Sequence, residues 1–343
     1  MIPLTEYNIP TLLYLQNDYL TPLKLHLPSL GQKCIVLTGK TSHVKTNTLQ
    51  PTLKLLKELN IEFYHSDIIT PNPTHEQIHT AAKASPFKPD FIIGIGGGSV
   101  LDAAKALAFA VNGVDNLGQK TQIAPIKLAG ICLASGTGSE VTQYSILTQH
   151  NIKSSIPNFA FFDVCVVPFS LQASLPENQL KSTHWDIFCH ATEAALNIKT
   201  TPEVRATSMK ALELLKINDL YSKALAAIYA GISIAKAGTS VPHGLSYAIT
   251  TFKGLSHGAA CAVFSCDWLE MFQKEGKKEI IEAYFGEYNI QKLRKAIVTD
   301  VGEKPKLTID EAQMYAEQLI KSGKLAAHFE KISYEQVVDL YLK

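Results

Sequence analysis

Three consecutive glycines, Gly96, Gly97 and Gly98, stand between an isoleucine-rich run at residues 90–95 and an alanine-rich segment at residues 99–111. This order predicts a strand, a tight turn and then the start of a helix. Glycines let a ligand approach the backbone closely, and the N–H groups and dipole at a helix start attract a phosphate. The turn at Gly96, Gly97, Gly98 and Ser99 therefore predicts a pyrophosphate site.

A second interpretation of this turn needs no ligand. Ser99 and Asp102 have the spacing of a helix capping box, and Asp102 and Lys105 have the spacing of an ion pair on one helix face. Capping does not require three consecutive glycines, so the phosphate interpretation is favoured.

Short apolar runs alternate with helical patterns through the first half of the chain. The predicted strands lie at residues 33–38, 61–64, 90–95, 126–133 and 164–167. Helical patterns lie between them, including residues 46–59, where Leu49, Leu53, Leu56 and Leu59 share one face. Strand–helix–strand order predicts an α/β domain with an open parallel sheet.

The strand signals stop near residue 176, and the rest of the chain has the pattern of successive helices. At roughly 150 residues per domain, a chain of 343 residues is expected to form two domains. Pro176 ends the preceding element and Glu177 can begin a helix. We predict an α/β domain at residues 1–176 and an all-α domain at residues 177–343.

Composition excludes several classes of protein. Hydrophobic residues make up 46% and charged residues 18%, which is typical of a folded enzyme. The net charge is only +1, so the protein has no strong positive electrostatic field that would attract nucleic acid. The six cysteines form no CxxC pair and are expected to be buried thiols. Residues 1–18 lack a signal-like pattern, and residues 224–235 are too short to cross a bilayer. We expect a cytoplasmic protein without a membrane partner.

Two further segments carry polar groups suited to a dinucleotide. The turn at residues 134–140 follows an apolar run and includes Thr137 among glycines and hydroxyls, although an ordinary strand-to-helix connection has the same pattern. The first strand ends at Gly39, Lys40, Thr41 and Ser42, where many dinucleotide folds carry an acid for the ribose diol. Without that acid, we predict NADP(H) over NAD(H); a plain turn with a solvated lysine is the alternative.

One carboxylate and three histidines form a candidate metal set. Asp186 and His190 are four residues apart on a predicted helix and therefore share a face. His243 and His257 each stand beside a glycine in apolar surroundings. A single histidine of this kind is more often a core residue, but one carboxylate with three imidazoles suits Fe(II) or Zn(II). The pattern does not separate the two metals.

These motifs together resemble the iron-containing, or group III, alcohol dehydrogenases. The GGGSxxDxAK element runs from Gly96 to Lys105, the glycine and threonine turn covers residues 134–142, and the metal motifs are Asp186-x3-His190 and His243-x13-His257. The four motifs have the order and spacing of the family and cover most of residues 30–265.

The resemblance implies a dinucleotide domain, a helical metal domain and hydride transfer between nicotinamide and a small aldehyde or primary alcohol. It makes Asp186, His190, His243 and His257 the metal ligands, and assigns Gly97, Gly98, Ser99 and Thr137 to the cofactor, with Asp102 near the nicotinamide. Asn72 and Lys153 resemble positions that line the nicotinamide and substrate region. Relatives form dimers or larger assemblies, so a homo-oligomer is expected.

The chain departs from the common family pattern at Tyr247. Many relatives have a histidine there, four residues after the third metal ligand, and that histidine is associated with proton exchange. A phenol exchanges protons less readily near neutral pH, so Tyr247 is either a modified catalytic position or a packing residue. The chain is also shorter than most relatives. Its finer motifs resemble the phosphonoacetaldehyde reductases, with His184, Lys153 or Lys253 as candidates to contact an anionic substrate.

Three other functions stay open on sequence grounds. A dehydroquinate-synthase-like lyase would bind NAD and a metal, but it needs many basic residues, and Lys253 is the only one between His243 and His257. A glycerol-dehydrogenase-like polyol oxidoreductase would prefer glycerol with NAD. A non-catalytic relative would bind metal and nucleotide without turnover, which the Tyr247 departure motivates.

Overall fold

The computed structural model describes residues 1–271 and 276–343. It divides the chain into two compact units, Met1–Leu175 and Pro176–Lys343. The first unit contains the β-sheet and the second is helical, so the predicted combination of a parallel-sheet domain and a helical domain is confirmed.

The first unit is built on a six-stranded parallel sheet in the order β1-β8-β5-β4-β2-β3. Its strands are β1 (Leu12–Leu15), β2 (Lys33–Gly39), β3 (Glu62–Ile69), β4 (Phe91–Gly96), β5 (Lys127–Cys132) and β8 (Val164–Val167). A separate antiparallel hairpin consists of β6 (Ile146–Gln149) and β7 (Ile152–Ser155). The central strand β4 is buried along its whole length, as expected for a parallel sheet covered on both faces.

Helices connect these strands. They are α1 (Leu20–His26), α2 (Ser42–Lys45), α3 (Leu49–Glu58), α4 (His75–Ala84) and α5 (Gly98–Ala110). The chain runs from β2 outward to β3 and then crosses back to β4 on the other side of β2. This reversal creates a switch point between the carboxyl ends of β2 and β4, where open α/β sheets bind their ligands. Both glycine-containing ends, Gly39 and Gly96, lie there.

The second unit consists of packed helices. They are α6 (Glu177–Leu196), α7 (Pro202–Leu215), α8 (Leu220–Ala237), α9 (Val241–Ala248), α10 (His257–Met271), α11 (Lys277–Phe285), α12 (Ile290–Val301), α13 (Ile309–Lys321) and α14 (Tyr334–Leu342). A π-helical segment, Ile249–Lys253, follows α9, and a 3₁₀ turn, Lys324–Ala327, follows α13. Trp185, Phe188, Phe264 and Trp268 anchor a core in which the long helices α6 and α10 are almost entirely buried from their second turns onward.

Several local predictions need correction. The helix predicted at residues 46–59 begins only at Leu49, because Asn47 adopts a left-handed conformation with φ of 48° that ends the short helix α2. Strand β1 and the hairpin of β6 and β7 lie outside the predicted strands. Each strand has four residues, as β8 does, but β8 is buried throughout, whereas β1 and β6 each have one buried residue and β7 has none. The proposed Ser99–Asp102 capping box is wrong: helix α5 has no side-chain cap. The ion pair between Asp102 and Lys105 does form, at 3.8 Å.

The six cysteines are free and buried. Within residues 1–271 and 276–343, no single helix has the length and apolar character needed to cross a membrane. Helix α8 and the segment Val241–Lys253 pass that test only when they are taken as one pair, which is bent by 99°.

Candidate functional site

The four predicted metal ligands lie together in the helical unit. Asp186 and His190 come from α6, His243 from α9 and His257 from the first residue of α10. The Asp186 Oδ1 atom lies 3.8 Å from His190 Nε2, 3.5 Å from His243 Nε2 and 3.9 Å from His257 Nε2. One carboxylate oxygen thus lies within 3.9 Å of a ring nitrogen from each of three histidines, and these residues come from three elements.

Two of these atoms are buried and have no hydrogen-bond partner among the residues that the structure describes. They are Asp186 Oδ1 and His243 Nε2. An unpartnered buried acceptor costs free energy, so a pair of them that faces one point requires an occupant. A divalent cation meets this requirement, and a carboxylate with imidazoles is a common ligand set for Fe(II) and Zn(II). The residues present therefore fit the metal that the sequence motifs imply.

The protonation of Asp186 agrees with this interpretation. Burial alone would raise the pKa of the Asp186 carboxyl, but the neighbouring rings of His190, His257 and His243 lower it below its ordinary value. The carboxylate is therefore ionised at neutral pH and available as a ligand.

Glu193 orients the His243 ring, and sequence reasoning gave it no role. Its carboxylate is fully buried, accepts a hydrogen bond from His243 Nδ1 at 2.5 Å and another from the Ser240 N–H at 2.6 Å. A proton on Nδ1 leaves the lone pair of Nε2 directed at Asp186, which is the tautomer that a metal requires. The sequence clue to the role of Glu193 was its position on α6, about one helical turn after His190.

Cys261 is a second residue that the sequence analysis missed. Its sulfur and the ligand atoms of Asp186, His243 and His257 all lie within 4.8 Å of one another. The signal for Cys261 was its position one helical turn after His257. His190 contributes differently, because its ring stacks on that of His243 with centroids 4.4 Å apart.

Gly258 permits the close contact between α10 and α6 that brings His257 to the site. A Cβ atom at Gly258 would lie 1.9 Å from the carbonyl oxygen of Ser182. Only glycine fits this contact between helix backbones, which explains the His-Gly pair in the motif.

Tyr247 lies beside the metal residues. It is one turn after His243 on α9, and its ring centroid lies 6.1 Å from that of His257. Lys324 donates a hydrogen bond to the Tyr247 hydroxyl, and its ammonium nitrogen lies 4.0 Å from the centre of the ring. The departure from the family pattern at Tyr247 is thus accompanied by a lysine that the sequence analysis did not single out.

The two glycine turns of the first unit lie against each other at the carboxyl ends of β4 and β5. A Cβ at Gly98 would lie 2.5 Å from the Thr137 side chain, and one at Gly97 would lie 3.1 Å from Ala134. Helix α5 begins at Gly98, so its first N–H groups have no partner within the helix. The glycines therefore allow both the packing of the turns and access of a phosphate to the helix start.

Asp102 lies on α5, which follows the first glycine turn, and its hydrogen bonds connect this helix to the second turn. It accepts hydrogen bonds from Ser139 Oγ at 2.5 Å and from the Ile146 N–H at 3.0 Å. The fully buried Lys105 donates to Ser139 and to the carbonyls of Thr142 and Tyr144. In the structure Asp102 supports the shape of the turns.

The segment Gly39, Lys40, Thr41 and Ser42 follows β2 at the switch point. Lys40 forms an ion pair of 3.0 Å with Asp67, which comes from the neighbouring strand β3. The segment itself has no acid, but the fold brings one to Lys40. Both side chains are more than half exposed, so the pair is weak.

Asn72 and Lys153 are also brought together, because Lys153 donates a hydrogen bond of 3.1 Å to Asn72 Oδ1. Other residues considered for an anionic substrate have different partners. His184 hydrogen-bonds Tyr284 at 2.6 Å, and burial lowers its pKa to about 4, so it is uncharged at neutral pH. Lys253 forms an ion pair with Glu311 at 2.6 Å.

Comparison with known proteins gives consistent matches. The profile described as iron-containing alcohol dehydrogenase matches residues 10–167, and the profile of the C-terminal part of that family matches residues 181–343. An iron-containing alcohol dehydrogenase from Thermotoga maritima is 26% identical and superposes with a TM-score of 0.87, covering 97% of each chain.

Two curated relatives are similar in sequence. The NADPH-dependent butanol dehydrogenase of Clostridium saccharobutylicum is 27% identical over 258 residues, which are 68% of this chain and 66% of that protein. The phosphonoacetaldehyde reductase of Streptomyces viridochromogenes is 30% identical over 204 residues, which are 51% of each. The chain thus spans just under two thirds of the first relative and about half of the second.

The two profiles cover nearly all of the chain, in the order of its two units. Members of this family are NAD(P)-dependent oxidoreductases that act on CH–OH groups and use a metal with a nicotinamide cofactor, and this family-level function holds for the chain. The sequence, the fold and the convergence of Asp186 with three histidines lead to one conclusion: the chain belongs to the iron-containing alcohol dehydrogenase family.

Proposed function

We propose that this protein is a metal-dependent reductase of short aldehydes that also catalyses the reverse oxidation of primary alcohols. The observation that carries the proposal is the pair of buried, unpartnered atoms, Asp186 Oδ1 and His243 Nε2, at 3.5 Å within the cluster of histidines. Asp186, His190, His243 and His257 would hold Fe(II) or Zn(II).

When bound, a metal at these residues would supply a Lewis acid for the substrate oxygen, and a nicotinamide cofactor would supply the hydride. The residues of the chain keep this arrangement in place. Glu193 holds the proton on His243 Nδ1, and Gly258 lets His257 reach the cluster. Tyr247 and Lys153 are the proposed catalytic positions outside the metal set, with the Tyr247 hydroxyl held by Lys324.

The direct test is reconstitution of the purified chain with Fe(II) without oxygen and, separately, with Zn(II). Oxidation of NADPH and NADH is then followed with short aldehydes, including butanal and phosphonoacetaldehyde. Metal-dependent oxidation supports the proposal. If the protein binds metal and nucleotide but reduces none of the aldehydes, the proposal is wrong and a binding function takes its place.

We further propose that NADP(H) is preferred over NAD(H). Support comes from the absence of an acid in the segment from Gly39 to Ser42, from Lys40, and from the NADPH dependence stated in the name of the Clostridium relative. A 2′-phosphate would compete with Asp67 for the Lys40 ammonium. The variant Gly39→Asp should lower kcat/KM for NADPH by about tenfold more than Gly39→Asn, which has the same size without the charge. Wild-type protein that uses NADH equally well would contradict the preference.

The cellular setting is also a proposal. We infer a cytoplasmic homo-oligomer, most simply a dimer, that acts on a small molecule without a nucleic-acid or membrane partner. The family resemblance and the balanced charge of 32 basic against 31 acidic residues support this view. Light scattering on the purified chain measures the number of subunits, and a monomer would contradict the oligomer.

A further inference from the structure

Lys324 has an unusual set of contacts for a lysine. It is half-buried at the start of the 3₁₀ turn Lys324–Ala327, donates a hydrogen bond to the Tyr247 hydroxyl and lies 4.0 Å from the centre of that ring. Among residues 1–271 and 276–343, no carboxylate lies within ion-pair distance of its ammonium group. A phenol and its ring hold this cation in place without neutralising its charge.

Three other lysines of the same unit each have a carboxylate partner. Lys253 pairs with Glu311 at 2.6 Å, Lys304 with Asp267 at 2.7 Å and Lys321 with Glu317 at 3.4 Å. A partly desolvated ammonium without a counter-ion favours the approach of an anion, because the charge-assisted hydrogen bonds to it are stronger than neutral ones.

The position of Lys324 near the predicted metal ligands indicates what kind of molecule would carry this anion. Tyr247, which holds Lys324, is one turn from His243, and its ring centroid is 6.1 Å from that of His257. The Lys324 ammonium therefore lies within about 10 Å of the His257 ring centre. A molecule with a reacting group at the metal residues and an anion at Lys324 has only a short carbon chain between the two ends.

We propose that Lys324, held by Tyr247, binds the anionic end of a short aldehyde whose carbonyl end lies at the metal residues. The substrate class is thus a short aldehyde with a terminal carboxylate or phosphonate. This inference rests on the proposed reductase function and adds substrate selection to it. The contact with Tyr247 orients the lysine before substrate arrives, which reduces the entropy lost on binding.

Substrate pairs of matched length test the proposal in the metal-loaded protein. Succinic semialdehyde is compared with butanal, and phosphonoacetaldehyde with propanal. In Lys324→Gln, we expect kcat/KM for the anionic member of each pair to fall by about tenfold or more, while the value for the neutral member changes less than about threefold. Lys324→Arg should restore most of the anionic activity, since it keeps the charge.

Lys321→Gln is the matched control. It removes one positive charge a few residues away, from a lysine that is exposed and already paired with Glu317. This variant should retain the selectivity of the wild type. Thermal unfolding of all variants shows whether each is folded at the assay temperature.

A binding measurement separates this inference from the reductase function. Calorimetry with phosphonoacetate, which is not reduced, should show binding to the metal-loaded wild type and about tenfold weaker binding to Lys324→Gln, even if no aldehyde is turned over. The inference is overturned if Lys324→Gln lowers activity equally on both members of a pair, if it changes neither, or if phosphonoacetate binds both proteins equally. Failure of wild-type turnover with this binding difference intact would refute only the reductase function.

Discussion

At the scale of single residues, the buried carboxylate of Glu193 controls which nitrogen of His243 carries the proton. The carboxylate accepts a hydrogen bond of 2.5 Å from Nδ1, whereas the other ring nitrogen, Nε2, lies beside Asp186. Without that acceptor, the ring has no fixed tautomer and its Nε2 lone pair is no longer held toward Asp186.

We therefore predict that Glu193→Gln weakens metal affinity by about 10- to 100-fold although it leaves the four proposed metal ligands unchanged. Competition with a chelator of known affinity measures the change. Glu213→Gln, an exposed acid on α7, is the control and should bind metal as the wild type does. Unchanged affinity in Glu193→Gln would show that Glu193 does not orient the ring.

The types and spacing of the residues also explain which members of the candidate site could be recognised from the sequence. Asp186 and His190 are one turn apart, so their common direction follows from helix geometry alone. His243 and His257 were recognised through their motif, and the structure brings all of them to one carboxylate oxygen. Cys261 and Lys324 carry no recognisable motif, because their contacts depend on how α9, α10 and the turn at Lys324–Ala327 pack.

At the scale of elements, the contact between α10 and α6 determines whether His257 can reach the other ligands. We predict that Gly258→Ala disrupts the site, because its Cβ would lie 1.9 Å from the backbone oxygen of Ser182 and a backbone atom cannot rotate away. The expected loss is about 3 kcal/mol or more of unfolding free energy, together with weaker metal binding. Urea unfolding and metal titration measure both, and wild-type values for both would contradict the proposed close packing.

A second element-scale prediction concerns α8 and α6, which are joined by the hydrogen bond from Lys223 to the Leu180 carbonyl at 2.5 Å. Burial lowers the pKa of Lys223 from 10.5 to about 8. Between these values the unfolded chain binds more protons than the folded one, so folding stability rises with pH. We expect the wild type to gain about 1–2 kcal/mol between pH 7.5 and 9.5 relative to Lys223→Gln.

The measurement is urea unfolding at the two pH values. Lys216→Gln, at an exposed position of the same unit, should follow the wild type. If the wild type and Lys223→Gln respond to pH in the same way, the partly buried Lys223 does not titrate in this range.

Sequence patterns do not determine where every helix and strand begins and ends. The strong leucine periodicity correctly indicated α3, but the start of the helix depended on one left-handed residue, Asn47. The four-residue strand β1 is stabilised by pairing with β8, which lies about 150 residues later in the sequence. A pattern that spans only neighbouring residues of the sequence does not include β8.

At the scale of the whole molecule, the two units differ in their tryptophan content. Both tryptophans, Trp185 and Trp268, lie in the helical unit with the metal residues. Tryptophan fluorescence therefore reports the unfolding of the metal-binding unit.

We predict that Zn(II) at about 100 times its Kd stabilises the fluorescence-detected transition by about 2.7 kcal/mol, because a ligand that binds only the folded state shifts the equilibrium. A chelator should remove this gain, and Asp186→Asn should show little of it. Urea titrations with and without metal provide the measurement. An equal gain in Asp186→Asn would place the stabilising metal elsewhere.

The sequence by itself determined the class of each unit, because hydrophobic periodicity and glycine turns are local properties of the chain. It also indicated Asp186, His190, His243 and His257 as candidate metal ligands, since a fixed spacing on a helix or in a motif is visible in one dimension. Only the tertiary structure decided which atoms are left buried without partners, that Glu193 orients His243, and that Lys324 lies on Tyr247 without a carboxylate among the described residues. These properties depend on burial and on contacts between distant segments, which arise only when the helices pack.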